Sequence, residues 1–480
     1  MFKEDPKKSA RQEVGFQKWR FSKQHGASKN GQGLIKWVGA MGKTYASCKY
    51  AIKPYVEANF EEVVILVPLA ELIPQWHKTL RATIQGDALK RVYVNTVQGY
   101  HAQGAEFNCG LLVIDEIHKF YGEEFIQYID NTKIKFKHCL GLSATPFDPQ
   151  GKWKLVQHLY PVVDEITPEE ARREGYTSEF AEFNLGIDLS ATEQAYYEEL
   201  SQEIAAGNAK FGKGGFLLAL KCVGGGKHPS DNRYYGAGQW AMGHARDMGW
   251  KADDPSTHQY NPSVIIGLAK KLIAAVQERK ALVQRHPVKR KIVQELLDKF
   301  KEKTIIFGES TNMADDIHED NLKAGRKSVV FHSNIESRTM LDENGDVILY
   351  GKSAKKAGQP KSFGKDTLRK YAITSIREGT ADIIVSAKAL DVGFDVPTMR
   401  MGIIVDRNSN ANNQLQRLFR IFRIDPDNPE DTVLAVNIYI RNTVDERWLK
   451  SAQRTTTSVI HEVESVEDIF FNPVNDEFEI

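Results

Sequence analysis

Five short runs between residues 34 and 142 are β-rich and mostly apolar: Leu34 to Val38, Val63 to Val67, Arg91 to Val94, Leu111 to Ile114 and Cys139 to Leu142. A strand with one wet face alternates apolar and polar residues, whereas a strand covered on both faces by helices does not. Runs of this kind, separated by helical or polar stretches, predict a parallel sheet within an α/β lobe. The rhythm returns near Lys303, with Thr304 to Phe307, Ser328 to Phe331, Ile383 to Val385, Met401 to Val405 and Thr432 to Ile438. A chain of 480 residues exceeds one ordinary core. The expectation is therefore an α/β protein of two tandem lobes, 1–160 and 276–445. Residues 161–275 are expected to be a linker and inserted segment, and 446–480 a C-terminal helix and acidic tail.

Residues 207–262 show neither the helical nor the strand period. They run from GNAKFGKGG and KCVGGGKHP to DNRYYGAGQWAMGHARDMGW, and predict a partly flexible insertion rich in glycine and aromatic residues. A second insertion, 339–364, contains Asn344-Gly345 between two potential strands, a hairpin signal, followed by a basic loop around Lys356. Lys and Arg number 64 against 63 Asp and Glu, so overall charge neither demands nor excludes nucleic acid as a partner. Cys48, Cys109, Cys139 and Cys222 form no CxxC pair, which predicts free thiols in a reducing compartment and no zinc site. No apolar run approaches the roughly 18 residues that a membrane helix needs, so a soluble, cytoplasmic protein is expected.

The first run leads into Gly39-Ala40-Met41-Gly42-Lys43-Thr44 and then a predicted helix, TYASCKYA. Strand, glycine-rich turn and helix, in that order, aim backbone N–H groups at phosphates. Lys43 would reach the β/γ oxygens and the Thr44 hydroxyl a Mg²⁺ ion. Trp37 stands where the pattern GxxxxGK[ST] has its first glycine, so the turn is expected to pivot on Gly39. Alone, a Gly-Lys-Thr tripeptide equally suits a surface turn.

Downstream, Leu111 to Ile114 ends in Asp115-Glu116-Ile117-His118. Adjacent carboxylates at a strand end can hold a metal with one acid and orient a water with the other, which assigns Mg²⁺ to Asp115 and the base to Glu116. The next strand ends in Ser143-Ala144-Thr145-Pro146, whose hydroxyls are expected to bond across to the acids. In the second lobe Gln416, Arg420 and Arg423 share one helical face at i, i+4 and i+7, beside an apolar stripe of Leu415, Leu418, Phe419 and Phe422. Phosphoryl transfer between two lobes needs a guanidinium from the far side, and this helix carries two. A solvated basic face is the alternative.

These residues, in this order, resemble helicase superfamily 2. Lys43 sits where motif I has its lysine, Asp115 to His118 look like a DExH motif II, and Ser143 to Thr145 are similar to motif III. Ser386 to Pro397 resemble motif V and Gln416 to Arg423 motif VI. Weaker matches are Gln17 to the adenine-reading glutamine, Val67-Pro68 with Gln75-Trp76 to motif Ia, and Thr96-Val97-Gln98 to a backbone-contacting strand end. Residues 160–176 and Thr443 to Glu446 resemble the group that holds restriction-type translocases, XPB-type and phage UvsW-type helicases. The departures are Gly39-Ala40 for Thr-Gly, Leu69 for Thr, and Phe419 for Gly.

The resemblance implies two RecA-like lobes and an ATP-dependent DNA helicase or translocase acting on branched or forked DNA in phage-type recombination, repair or replication. An RNA-directed remodeller and the translocase subunit of a restriction-type complex are the alternatives. ATP and Mg²⁺ would bind Gln17, Gly39, Ala40, Met41, Gly42, Lys43, Thr44 and Asp115, with Gly393 and Asp395 from the second lobe. His118, Ser143 and Thr145 would couple hydrolysis to movement. Thr96, Gln98 and Lys388, with the loops near Lys213 and Lys356, would meet the DNA backbone, making binding salt-sensitive and largely indifferent to sequence.

Overall fold

The computed structural model describes residues 5–39, 41–103, 107–148, 150–178, 180–231, 233–253, 255–335, 338–339, 358–359, 362–387, 399–407, 432–453 and 460–470. Six strands form the first sheet: β1 Gln32–Trp37, β2 Val63–Val67, β3 Val92–Thr96, β4 Phe107–Asp115, β5 Ile134–Ser143 and β6 Val162–Ile166. All pairings are parallel, in the order β3-β2-β4-β5-β1-β6. The side chains of β2, of residues 111–115 in β4 and of 139–143 in β5 are buried on both faces, as unbroken apolar runs require, whereas edge strand β3 exposes Tyr93. The helices Pro6–Arg20 and Ile73–Thr83 bring Phe16, Trp19 and Trp76 into this core.

The second sheet is also wholly parallel. It contains β7 Phe180–Ile187, β10 Thr304–Gly308, β11 Ser328–His332, β14 Ile383–Ala387, β15 Met401–Ile404, β16 Val433–Ile440 and β17 Ile460–Val463, in the order β11-β14-β10-β15-β16-β7-β17. The fold class is thus two RecA-like α/β sheets. In these two sheets three strands lie where none was expected. β6 and β7 fall inside 161–275, one in each sheet, and β17 falls in the expected tail.

Their sequences hide them because each carries polar residues with partners far along the chain. In β7, Glu182 and Asn184 are fully buried and accept hydrogen bonds from Asn437 on β16 (2.9 and 3.0 Å) and from Gln453 (2.9 Å each). A buried polar group with such partners avoids the desolvation penalty that would exclude it from a core.

The glycine-rich insertion is not a loop. Helices Ala191–Lys210, Gly215–Gly224, Ala237–Asp247 and Pro262–Gln284 enclose a separate core including Leu200, Ile204, Phe211, Ala219, Ala245 and Leu272. A two-residue hairpin, β8 Gly226–Lys227 with β9 Tyr234–Tyr235, joins two of these helices. Small residues let the helices approach closely: a Cβ on Gly207 would come within 2.9 Å of Leu272. The second insertion starts as an antiparallel pair, β12 Arg338–Thr339 with β13 Ser362–Phe363, while Asn344-Gly345 lies outside the described residues. The four cysteines are free and buried. No described helix is long and apolar enough to cross a membrane.

Candidate active site

Parallel strands put all their C-terminal ends on one edge, and the order β4-β5-β1 makes the ends of these three neighbours. The chain leaves β1 at Trp37, which explains the missing first glycine. Residue 37 is still in the strand, fully buried, with its indole Nε1 donating to Asp164 at 2.6 Å. Asp164 also pairs with Arg11 (2.8 Å) and Lys18 (2.7 Å). The turn therefore begins later, and its left-handed residue is Gly42 (φ 70°, ψ 34°), immediately before the helix Lys43–Ser47. A side chain is strained at such a φ, and a Cβ there would lie 3.2 Å from the Gln12 amide.

Gln12 is the residue that touches this loop. Its Nε2 donates to the Met41 carbonyl at 2.7 Å, from a buried position. Gln17, the glutamine expected at the nucleotide, is exposed on the same helix. Helical geometry separates the two: Gln12 shares the buried face with Gly15, Phe16 and Trp19 at i+3, i+4 and i+7, and Gln17 does not. That spacing was the available signal. The Lys43 ammonium donates to the carbonyls of Trp37 (3.1 Å) and Val38 (3.4 Å). Thr44 is half-buried beside it, and Ala40 lies outside the described residues.

Asp115 closes β4 and is 8% exposed. Trp76 donates its indole N–H to Asp115 Oδ2 at 3.0 Å. Burial, then the neighbouring Glu116 charge, push the Asp115 carboxyl up to about 6, against the opposing pull of the Trp76 hydrogen bond and Lys43. Glu116 itself adopts the left-handed conformation (φ 50°, ψ 55°), an uncommon one for a residue with a side chain.

A chain of hydrogen bonds then crosses from β4 to β5. The Ser143 hydroxyl donates to Glu116 Oε2 at 3.3 Å, and Ser143 Oγ lies 2.9 Å from His118 Nδ1 and accepts the Thr145 N–H at 3.1 Å. Burial holds His118 down at about 4, so it is neutral at pH 7. Its 3.5 Å approach to Glu116 is thus no ion pair there. With the Ser143 proton committed to Glu116, Nδ1 carries the histidine proton and donates to Ser143. The Thr145 hydroxyl is buried and has no hydrogen-bond partner among the described residues.

At the end of β3, Thr96 is nearly buried and its Oγ1 accepts the Gly99 N–H at 3.0 Å, opening the helix Val97–Gln103. Gln98 is exposed in the first turn, and Leu69 is exposed at the end of β2. Lys388, Gly393, Asp395, Gln416, Arg420 and Arg423 lie outside the described residues.

Residues 7–148 match the family model described as type III restriction enzyme, res subunit, and residues 288–425 match helicase conserved C-terminal domain. A relative, the DNA 3'-5' translocase XPB2 of Sulfurisphaera tokodaii, is 23% identical over 432 residues, covering 87% of this chain and 80% of the relative. Among solved structures, S. cerevisiae Dbp5 bound to RNA and ADP BeF3, as a point variant, aligns over 91% of this chain and 86% of its own, at a TM-score of 0.50 and 11% identity. The Pyrococcus furiosus Hef helicase domain aligns over 92% and 98%, at 0.49 and 16%. At 11% identity the Dbp5 match speaks to the fold alone.

Proposed function

We propose, from the premise that this chain belongs to helicase superfamily 2, a working cycle for its residues and a substrate for it. The chain is an ATP-dependent DNA helicase of that superfamily. The nucleotide would sit on the turn ending in Gly39, Ala40, Met41 and Gly42, where Lys43 exchanges its carbonyl partners for phosphate oxygens. Thr44 and Asp115 offer the hard oxygen donors that suit Mg²⁺, which when bound neutralises phosphate charge. Glu116 would orient the attacking water, and Gln12 would hold the loop through Met41. Gln416, Arg420 and Arg423, with Gly393 and Asp395, would complete the site from the second lobe.

The observation that carries this reading is the hydrogen-bonded path Glu116–Ser143–His118. It ties the water-orienting acid to the turn after β5, so a change at the phosphate would alter the contacts of Ser143 and Thr145 and bias lobe movement. Thr96, Gln98 and Lys388 would contact a DNA backbone, the Thr96 hydroxyl through its helix start. Forked or branched DNA is the proposed substrate, recombination, repair or replication the proposed setting, and the cytoplasm the proposed location. The match to a restriction res subunit favours a second reading, a translocase that works with a nuclease partner.

The test is ATP turnover with single-stranded, duplex, forked and four-way DNA and with RNA, strand displacement being scored in parallel. Forked DNA should stimulate most, and Lys43→Ala should abolish turnover while DNA binding survives. Stimulation by RNA alone would replace the substrate assignment. Turnover indifferent to every nucleic acid would overturn the motor.

A further inference from the structure

A cleft of about 500 Å³ opens where two helices of the inserted unit, Ala191–Lys210 and Pro262–Gln284, meet the start of the helix Val444–Gln453. Arg279, Arg447 and Lys450 bring three positive charges to its walls, against one acid, Glu446. That acid is already engaged, by Lys450 and by the Asn442 N–H at 2.7 Å. Among the described residues no carboxylate pairs with Arg279 or Arg447.

Arg279 is held in place rather than neutralised. Its guanidinium lies 5.7 Å over the Tyr197 ring, and Nη1 donates at 3.2 Å to Ser201 Oγ, whose own proton goes to the Tyr197 carbonyl at 2.7 Å. Tyr197 is fastened to the second lobe in turn, its hydroxyl accepting the Val444 N–H at 2.8 Å. Burial disfavours the charge on Arg279, Tyr197 opposes that effect, and the neighbouring Arg447 adds to it. Two uncompensated guanidiniums around a cleft are repulsive until an anion enters, and their planar donor forks match phosphate oxygens in pairs.

We infer that this cleft binds a phosphate group, with Arg279 and Arg447 as its donors, Lys450 as the third charge, and Ser201 and Tyr197 orienting Arg279. Its place between the inserted helices and the second lobe suits either the backbone of a polynucleotide or a free phosphate. The polynucleotide case rests on the DNA-motor reading above.

Full-length protein, with no ATP present, should be compared with Arg279→Gln/Arg447→Gln and with Arg447→Gln alone, which alters only an exposed side chain. Inorganic phosphate, against chloride at equal ionic strength, should raise the Tm of the wild type and leave both variants unmoved. If the natural ligand is a polynucleotide, the variants should also bind an oligonucleotide several-fold more weakly. Their log–log salt slope should be shallower by about 0.9 for each phosphate that the protein ceases to neutralise. Loss of the phosphate response with unchanged oligonucleotide binding assigns the site to a free phosphate. An equal phosphate response in wild type and Arg447→Gln, with equal oligonucleotide affinity, overturns the site. Because these assays need no hydrolysis, failure of the motor in Lys43→Ala leaves them readable.

Discussion

Trp76 and Asp115 are joined by a hydrogen bond of 3.0 Å from the indole N–H to the carboxylate, inside the core of the first lobe. The bond links the helix after β2 to the end of β4, so the acid proposed to hold Mg²⁺ is aimed by a residue 39 positions earlier. It also favours the ionised acid where burial and Glu116 oppose ionisation. Trp76→Phe keeps most of the ring and removes the donor. A hydrogen bond to a charged group contributes about 1.5–3 kcal/mol. Half-maximal ATP turnover should therefore need about tenfold more Mg²⁺, by the conversion of about 1.4 kcal/mol per decade. Affinity for nucleotide without Mg²⁺ should hardly change. An unchanged Mg²⁺ requirement would detach Trp76 from the metal site.

Gln12 and Gln17 offer a direct comparison on one helix. Gln12→Ala removes a buried hydrogen bond to the Met41 carbonyl, a loss of about 1 kcal/mol, and frees the phosphate loop. KM for ATP should rise several-fold. Gln17→Ala changes an exposed side chain and should leave both stability and KM within error. The reverse pattern in steady-state kinetics would make Gln17, not Gln12, the residue that serves the nucleotide.

What could be read from the sequence depended on where each residue finds its partners. The ten expected strands all occur, because a strand apolar on both faces announces its burial within itself. β6 and β7 escape such a reading because Asp164, Glu182 and Asn184 look solvated until Trp37 and Asn437 arrive from elsewhere, and β17 escapes it because no residue of Ile460–Val463 is fully buried. The same holds at the site. Asp115 and Ser143 sit at legible strand ends and Lys43 after a legible glycine turn, whereas Gln12 is defined by a face of a helix and Trp76 by a partner on a strand.

The neutral His118 makes acid stability a test of the coupling path. Its folded value of about 4 lies below its ordinary 6.5, so between those values the unfolded chain binds more protons and stability falls as pH falls. Asp115, raised from 3.8 to about 6, acts in the opposite sense over much of that window, so the total slope of the wild type is not diagnostic. The difference from His118→Asn is. Asparagine can still donate to Ser143 but does not titrate. Wild type should lose stability more steeply than the variant below pH 6.5, by up to about 1.4 kcal/mol per pH unit. Urea titrations from pH 7 to 4.5 measure this, and parallel curves would mean that His118 is not held neutral.

Two glycines of the inserted unit decide whether it is a packed body or a linker. In a helix, Gly→Ala gains about 1 kcal/mol of propensity. At Gly267 nothing lies within 4 Å of an added Cβ, so Gly267→Ala should stabilise by roughly that amount. At Gly207 the new Cβ would meet Leu272 at 2.9, 3.1 and 3.3 Å, and overpacking costs about 1–3 kcal/mol. Relief would require Leu272 to move, but that residue is 2% exposed within the insert's own core. The clash outweighs the propensity, and Gly207→Ala should destabilise. A flexible linker would give no such division of sign. Thermal unfolding of the two variants, followed by protease sensitivity of residues 191–284, distinguishes the cases: two silent substitutions would return the segment to a loop.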